Sequence, residues 1–358
     1  MVNWSKRLVP VIATSSLLLA SGALAEGIGQ AEEAILIPGA MPFKAINPLY
    51  PTVAATYPRI GEHFHGDLSS QIVGYSQDPL VANRALAEGV TQTTAAVLDT
   101  NGEVVVIGES MGSMVAWRVA EELAKNGSPR TEDISFVLIA SPDVGISEYF
   151  KEGTYIPILN YRIRRVADSP YDTTIVVGEY DGWSDPPDRP WNAVSSANAI
   201  LGIAYVHGPP SFTADVSGLT PTEDGNVKTY LVPTEHLPLT QVFRDVGVPN
   251  ALVDTADKVL RPVVDAGYVR HDEPGDTRPY LYDGEIRRNV QSQQQAREPV
   301  RALTGTATDL GRQRREHRSE LRQAVQAAGR DIRDRVEAGV GQLKKTIAAI
   351  RPAREPGM

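Results

Sequence analysis

Val104-Val105-Val106-Ile107-Gly108-Glu109-Ser110-Met111-Gly112-Ser113-Met114-Val115-Ala116 is the stretch that decides the fold. Four β-branched residues, a G-x-S-x-G pentapeptide and a small, apolar run read as strand, sharp turn and helix. A serine at the tip of such a turn is forced into strained backbone angles, so the residues two before and two after it must lack side chains. Gly108 and Gly112 fill those places. Ser110 is therefore a candidate nucleophile, and the N–H of Met111 is aimed where an oxyanion would form. The bland alternative is an inert serine in an ordinary strand-to-helix turn, and the flanking pattern weighs against it.

Upstream, Glu32 to Pro42 reads as a short buried strand running into a Pro/Gly loop. In a doubly wound serine hydrolase the loop after an early strand gives the second oxyanion donor, which places that role on the backbone at Gly39 and Ala40. Gln71 to Tyr75 reads as a second strand. Leu80, Ala87, Val90, Ala95 and Leu98 recur at helical spacing ahead of the serine strand. His63 and His65 alternate in a polar loop with no third ligand in view, so they are read as solvated surface and no metal is assigned.

Downstream, the serine helix stops at Asn126-Gly127, and Ile134 to Pro142 is the next buried strand. Strand, helix, strand in this order is a βαβ crossover. It predicts an α/β protein with a mostly parallel sheet, helices on both faces, and the site at the carboxyl ends of the strands. From Val144 to Arg165 aromatics mix with Pro157 and charged residues, as in a lid or acyl-chain wall, or in a plain solvent-facing connection. Thr173 to Gly178 repeats the strand. Asp181, just beyond it, is the expected acid that orients a histidine, with Asp185 as runner-up. His207 lies close to this acid in sequence and competes as base. His236 follows the last clear strand, Val227 to Val232, directly, where this fold places its general base, so it ranks above His207, His271 and His317. The chain order Ser110, Asp181, His236 is that of α/β-hydrolases.

The whole chain sets bounds on these readings. At 358 residues there is room for one large α/β domain and an appendage. Lys6 and Arg7, an apolar run to Ala20 and Ala23-Leu24-Ala25 make residues 1–25 a secretory signal or an uncleaved membrane anchor. Cysteine is absent, which excludes disulfides and thiol catalysis. The chain carries a net charge of −9, yet from Glu285 onward 16 Lys/Arg face 9 Asp/Glu, so an acidic body precedes a basic tail. Such a body argues against nucleic acid as partner. In the tail, Leu321, Val325, Ala328, Ile332, Val336, Val340, Leu343, Ile347 and Ile350 form one narrow apolar stripe on a long charged helix. That stripe suits docking on the body, pairing with another helix or lying on an anionic membrane. The expected division is 1–25 signal or anchor, 26–284 catalytic domain and 285–358 helical tail.

Ser110 in GESMGS, the segment YDGWSDPPDRPWN followed by NAILGIAYVHG, and VPTEHLPL followed by LRPVVDAGY resemble the PE-PPE domain of mycobacteria and relatives, a cutinase-like serine hydrolase domain. The resemblance runs from about Ala34 to Tyr268. It implies an α/β-hydrolase fold, a triad on Ser110, Asp181 and His236, no cofactor, and esterase or acyltransferase activity on lipids of the cell envelope. The implied substrate is a lipid or acylated glycolipid. A signal segment stands where most members carry a PE or PPE module, which resembles the standalone exported members, some of them acyltransferases on trehalose-based glycolipids. The lack of cysteine separates the chain from disulfide-bearing cutinases. The expectation is a secreted or envelope enzyme, anchored on the outer face of the cytoplasmic membrane if the signal is retained, with membrane contact through the N-terminal segment or the C-terminal helix. Release of the acyl group to water and a non-catalytic envelope scaffold are the alternatives.

Overall fold

A computed structural model of the chain describes residues 32–127, 130–166, 169–208 and 212–288. The expected signal, residues 1–25, and nearly all of the expected helical tail lie outside them.

The main sheet has seven strands in the order β2-β1-β3-β4-β7-β9-β8. These are β1 (Glu33–Ile37), β2 (Ser69–Ile72), β3 (Val104–Glu109), β4 (Ile134–Ile139), β7 (Thr173–Gly178), β8 (Thr222–Asp224) and β9 (Val227–Val232). All pairings are parallel except β8 with β9. Parallel strands need crossovers, which the chain supplies as α3 (Ala82–Asp99), α4 (Met111–Lys125) and α5 (Ala193–Tyr205), after the short α1 (Tyr50–Ala54) and α2 (Glu62–His65). The α/β-hydrolase-like arrangement expected from the serine stretch is thus present: a mostly parallel sheet flanked by helices.

The continuous apolar strands are buried on both faces, and their alternate residues go to different cores. Ile35, Ile37, Val104, Val106, Phe136, Leu138, Ile175 and Val177 face one core with Val90, Val97, Val115 and Val119 of α3 and α4. Ala34, Leu36, Val105, Ile107, Val137, Ile139 and Val176 face the other with Tyr57, Ile60, Phe64, Phe212 and Val216. The period of two that makes a strand partitions one apolar run between two helical layers.

Residues 144–165 leave the sheet. They form 3-10 turns and a hairpin of β5 (Tyr155–Ile156) and β6 (Tyr161–Arg162), with Pro157–Leu159 at its tip. A buried triangle ties this hairpin down. The Tyr161 hydroxyl donates to Asp143 Oδ1 at 2.6 Å, and Arg118 of α4 donates to Asp143 Oδ2 at 3.0 Å and to the Tyr161 oxygen at 2.9 Å.

After β9 come α6 (Pro238–Asp245) and α7 (Asn250–Asp265), then the hairpin β10 (Tyr280–Tyr282) and β11 (Glu285–Arg287). This hairpin spans the division expected at 284/285. It is held to the body by Leu281 N–H to Asp188 O and Asp283 N–H to Glu148 O, both at 2.8 Å. Among the described residues no helix is long and apolar enough to cross a membrane.

Candidate active site

Ser110 closes β3 and opens α4 with φ 52° and ψ −120°. The turn is fixed by Ser110 N–H to Ile139 O at 2.8 Å and Ser113 N–H to Ser110 O at 3.0 Å. A Cβ on Gly108 would strike the Gly112 carbonyl, and one on Gly112 would strike the Ile37 carbonyl. Both glycines are therefore steric requirements, as the pentapeptide implies.

Asp181 is fully buried in the turn after β7. One carboxylate oxygen accepts from the Trp183 N–H at 3.0 Å, and the other accepts from the Ser184 hydroxyl at 2.6 Å. That second oxygen also meets His207 Nδ1 at 2.7 Å, and His207 Nε2 lies 2.8 Å from Ser110 Oγ. Ser110, His207 and Asp181 form one hydrogen-bonded line. Asp185 does not enter it, since its carboxylate accepts from the Tyr180 N–H and from both terminal nitrogens of Arg270.

His236, the expected base, lies elsewhere. Its Nδ1 is 3.3 Å from Arg244 Nη2 and its Nε2 is 3.7 Å from Glu235. The reason is topological. β4 and β7 stand between β3 and β9, so at strand spacings of about 4.8 Å the end of β9 is roughly 14 Å from the serine strand. The chain then turns outward to α6, where Arg244 sits. His207 instead arrives from the end of α5, which rests backbone against backbone on the acid turn. A Cβ on Gly202 would strike the Tyr180 carbonyl, and one on Gly182 the Ala199 carbonyl. The signal for His207 in the sequence was this pair of glycines, one beside Asp181 and one a turn before the histidine.

The loop after β1 is clamped at three of its four residues. Tyr75 Oη donates to Pro38 O at 2.6 Å, Gln77 Nε2 donates to Gly39 O at 2.7 Å, and Gly39 N–H donates to Glu109 Oε2 at 3.1 Å. Met41 N–H donates to Gln77 O at 2.8 Å. Ala40, between them, is exposed and borders the same cavity as Met111, whose N–H heads α4 without an intrahelical partner.

That cavity, of about 570 Å³, opens over Ser110 and His207. Its walls are apolar: Met114 of α4, Phe150, Ile156, Leu159 and Ile163 of the 144–165 excursion, and Phe212. The excursion forms a wall of the site, as one of its two sequence readings has it.

Burial works against a charged His207, but the hydrogen bond and charge of Asp181, joined by the charge of Glu109, outweigh it and raise the imidazole pKa above the ordinary value. Burial also lifts Glu109, to about 7. Of the two alternating histidines, His63 meets Asp215 at 2.9 Å and Ser217 at 3.1 Å, while His65 is buried. Among the described residues no group of three or more His, Asp or Glu is arranged to hold a metal ion.

The PE-PPE domain matches residues 50–269, more than half of the chain and a span that includes Ser110, Asp181 and His207. The chain belongs to the PE-PPE domain family. Among its relatives, the PPE family protein PPE63 of Mycobacterium tuberculosis (strain CDC 1551 / Oshkosh) is 34% identical over 264 residues, covering 66% of this chain and 55% of PPE63. This PE-PPE chain thus spans about half the length of that relative. The SL1278 acyltransferase Chp1 of M. tuberculosis (strain ATCC 25618 / H37Rv) is 30% identical over 286 residues, 74% of this chain and 70% of Chp1. The diacyltrehalose acyltransferase Chp2 of the same strain is 34% identical over 216 residues, 56% of this chain and 60% of Chp2.

Proposed function

We propose that this PE-PPE chain is a serine acyl-ester enzyme of the cell envelope, cutinase-like in its site, that transfers an acyl group between trehalose-type glycolipids. The observation that carries this reading is the hydrogen-bonded line Ser110–His207–Asp181 at the mouth of an apolar cavity of about 570 Å³. An apolar pocket beside a nucleophile selects for an acyl chain. The similarity to Chp1 and Chp2, both acyltransferases by name, favours a sugar hydroxyl over water as acceptor. The apolar 1–25 segment supports export.

In the acylation step His207 Nε2 takes the Ser110 Oγ proton as the oxygen attacks the ester carbonyl. Asp181 fixes the tautomer with the proton on Nδ1 and stabilises the imidazolium. The N–H groups of Met111 and Ala40 receive the oxyanion. Collapse expels the alcohol, which takes the proton from His207 and leaves an acyl-serine. The acceptor hydroxyl then gives its proton to His207 and its oxygen to the acyl carbon, and Ser110 is regenerated.

The test is incubation of the purified protein with diacylated trehalose, followed by product analysis. A more highly acylated glycolipid is expected, and free fatty acid alone would overturn the transferase reading in favour of hydrolysis. Ser110→Ala should abolish labelling by a fluorophosphonate probe, and an unlabelled wild-type protein would point to a non-catalytic scaffold. His207→Ala should cost about 10⁴-fold or more in kcat, whereas His236→Ala should stay within about threefold of wild type. The opposite pattern would return the base to His236.

A further inference from the structure

We infer that Glu109 is a positioning residue for the oxyanion loop: its carboxylate pins the Gly39 peptide, and so sets the Ala40 N–H, while its charge faces the His207 ring. This inference rests on the proposed Ser110–His207–Asp181 triad and adds to it a group outside the three.

Glu109 is the residue immediately before the nucleophile and is 5% exposed. Its Oε2 accepts from the Gly39 N–H at 3.1 Å, and its Oε1 stands 3.8 Å from His207 Nε2. The carboxyl thus bridges two parts of the site that come from different elements: the loop after β1 and the histidine after α5. A Cβ on Gly39 would collide with this carboxylate and come within 2.9 Å of the Ser110 Cβ. The loop passes as closely over Glu109 and Ser110 as a backbone can.

A carboxyl group this deep is costly to the fold, because burial disfavours its charged form and a single amide donor does not repay the lost hydration. An apolar or amide side chain would fill the space at lower cost. What a carboxylate adds is a fixed acceptor for one peptide N–H and a negative charge beside the imidazole. The clamps on Pro38, Gly39 and Met41 leave the Ala40 N–H as the loop's donor toward the cavity, and the Glu109 bond is the one that reaches this loop from the nucleophile turn itself. Among the described residues, the charge of Glu109 acts on His207, Tyr57 and Tyr75, and Asp181 faces Glu109 with a negative charge of its own. Of these, His207 is the one whose protonation the reaction requires to change. Burial lifts the Glu109 pKa to about 7 against the opposing pull of His207, and the Glu109 charge in turn helps to raise the pKa of His207.

The experiment compares Glu109→Gln and Glu109→Ala with wild type, using a p-nitrophenyl ester across pH 5–9, with thermal melting as a check on folding. Glu109→Gln keeps an acceptor for the Gly39 N–H but removes the charge. The acid limb of its kcat/KM profile should move to lower pH, with kcat at the plateau within about tenfold of wild type. Glu109→Ala removes the acceptor as well, and kcat should fall by about 10²-fold, the scale of losing one oxyanion donor, with KM within about twofold. An acid limb that stays in place in Glu109→Gln, or a wild-type kcat in Glu109→Ala, would overturn the inference. Failure of the triad itself reads differently, as a wild-type protein that no fluorophosphonate labels or a His207→Ala variant with full activity.

Discussion

Ser110 occupies backbone angles that cost a non-glycine residue of order 1–3 kcal/mol. The strain persists because the strand before it and the helix after it are buried against other elements and Gly108 and Gly112 leave no room for the turn to relax. The result is a hydroxyl held 2.8 Å from His207 Nε2, on a ring whose Nδ1 meets the buried Asp181 carboxylate. In the proposed mechanism His207 must be neutral to accept the serine proton, so kcat/KM should fall as pH is lowered through its pKa, which lies above the ordinary 6.5. A pH–rate profile should show an acid limb with its midpoint above 6.5, and a midpoint at or below that value would contradict the electrostatics of Asp181 and Glu109 at this ring.

At the scale of elements, the site depends on how closely α5 packs on the turn after β7. Gly202 and Gly182 allow the two backbones to touch, and this contact carries His207 to Asp181. In Gly202→Ala the new methyl meets the Tyr180 carbonyl. A displacement near 1 Å costs about 10²-fold in rate, so kcat should fall 10- to 100-fold with substrate KM changed far less, as steady-state kinetics will show. The hairpin β5–β6 is fixed by a different device, the buried Arg118–Asp143–Tyr161 triangle. Tyr161→Phe leaves Asp143 and Arg118 each short of one partner. Denaturant unfolding should show a loss of about 1–3 kcal/mol, with the wall of the cavity loosened.

At the scale of the whole molecule, one sheet separates two apolar cores, and the candidate site sits at the carboxyl ends of its strands, walled by the 144–165 excursion. In the acyl-transfer function we propose, the cavity beside that excursion sets which acyl chains fit. Leu159→Trp narrows it from the hairpin side. The kcat/KM for long-chain p-nitrophenyl esters should drop at least tenfold while the acetate ester is unaffected, and an unchanged chain-length profile would show that the acyl group lies elsewhere.

The local parts of this arrangement were legible in the chain. Apolar runs such as Val104–Ile107 and Ile134–Ile139 identify buried parallel strands, and Gly108 and Gly112 identify the turn, because strand burial and close backbone approach act over a few neighbouring residues. Asp181 was legible for the same reason, one short step past a strand. The base was not. His236 and His207 both follow an apolar element by a few residues, and what separates them is distance across the sheet. The strand order puts β9 three places from β3, and the glycine contact between α5 and the acid turn brings His207 in. The amino-acid sequence by itself thus determined the α/β framework, the serine turn and the place of Asp181 just past a strand, since these depend on period, sterics and neighbours along the chain. Only the tertiary structure decided which histidine completes the line and that Glu109 reaches the Gly39 loop, because those contacts join residues 97 and 70 positions apart, brought together by the order in which the strands pair.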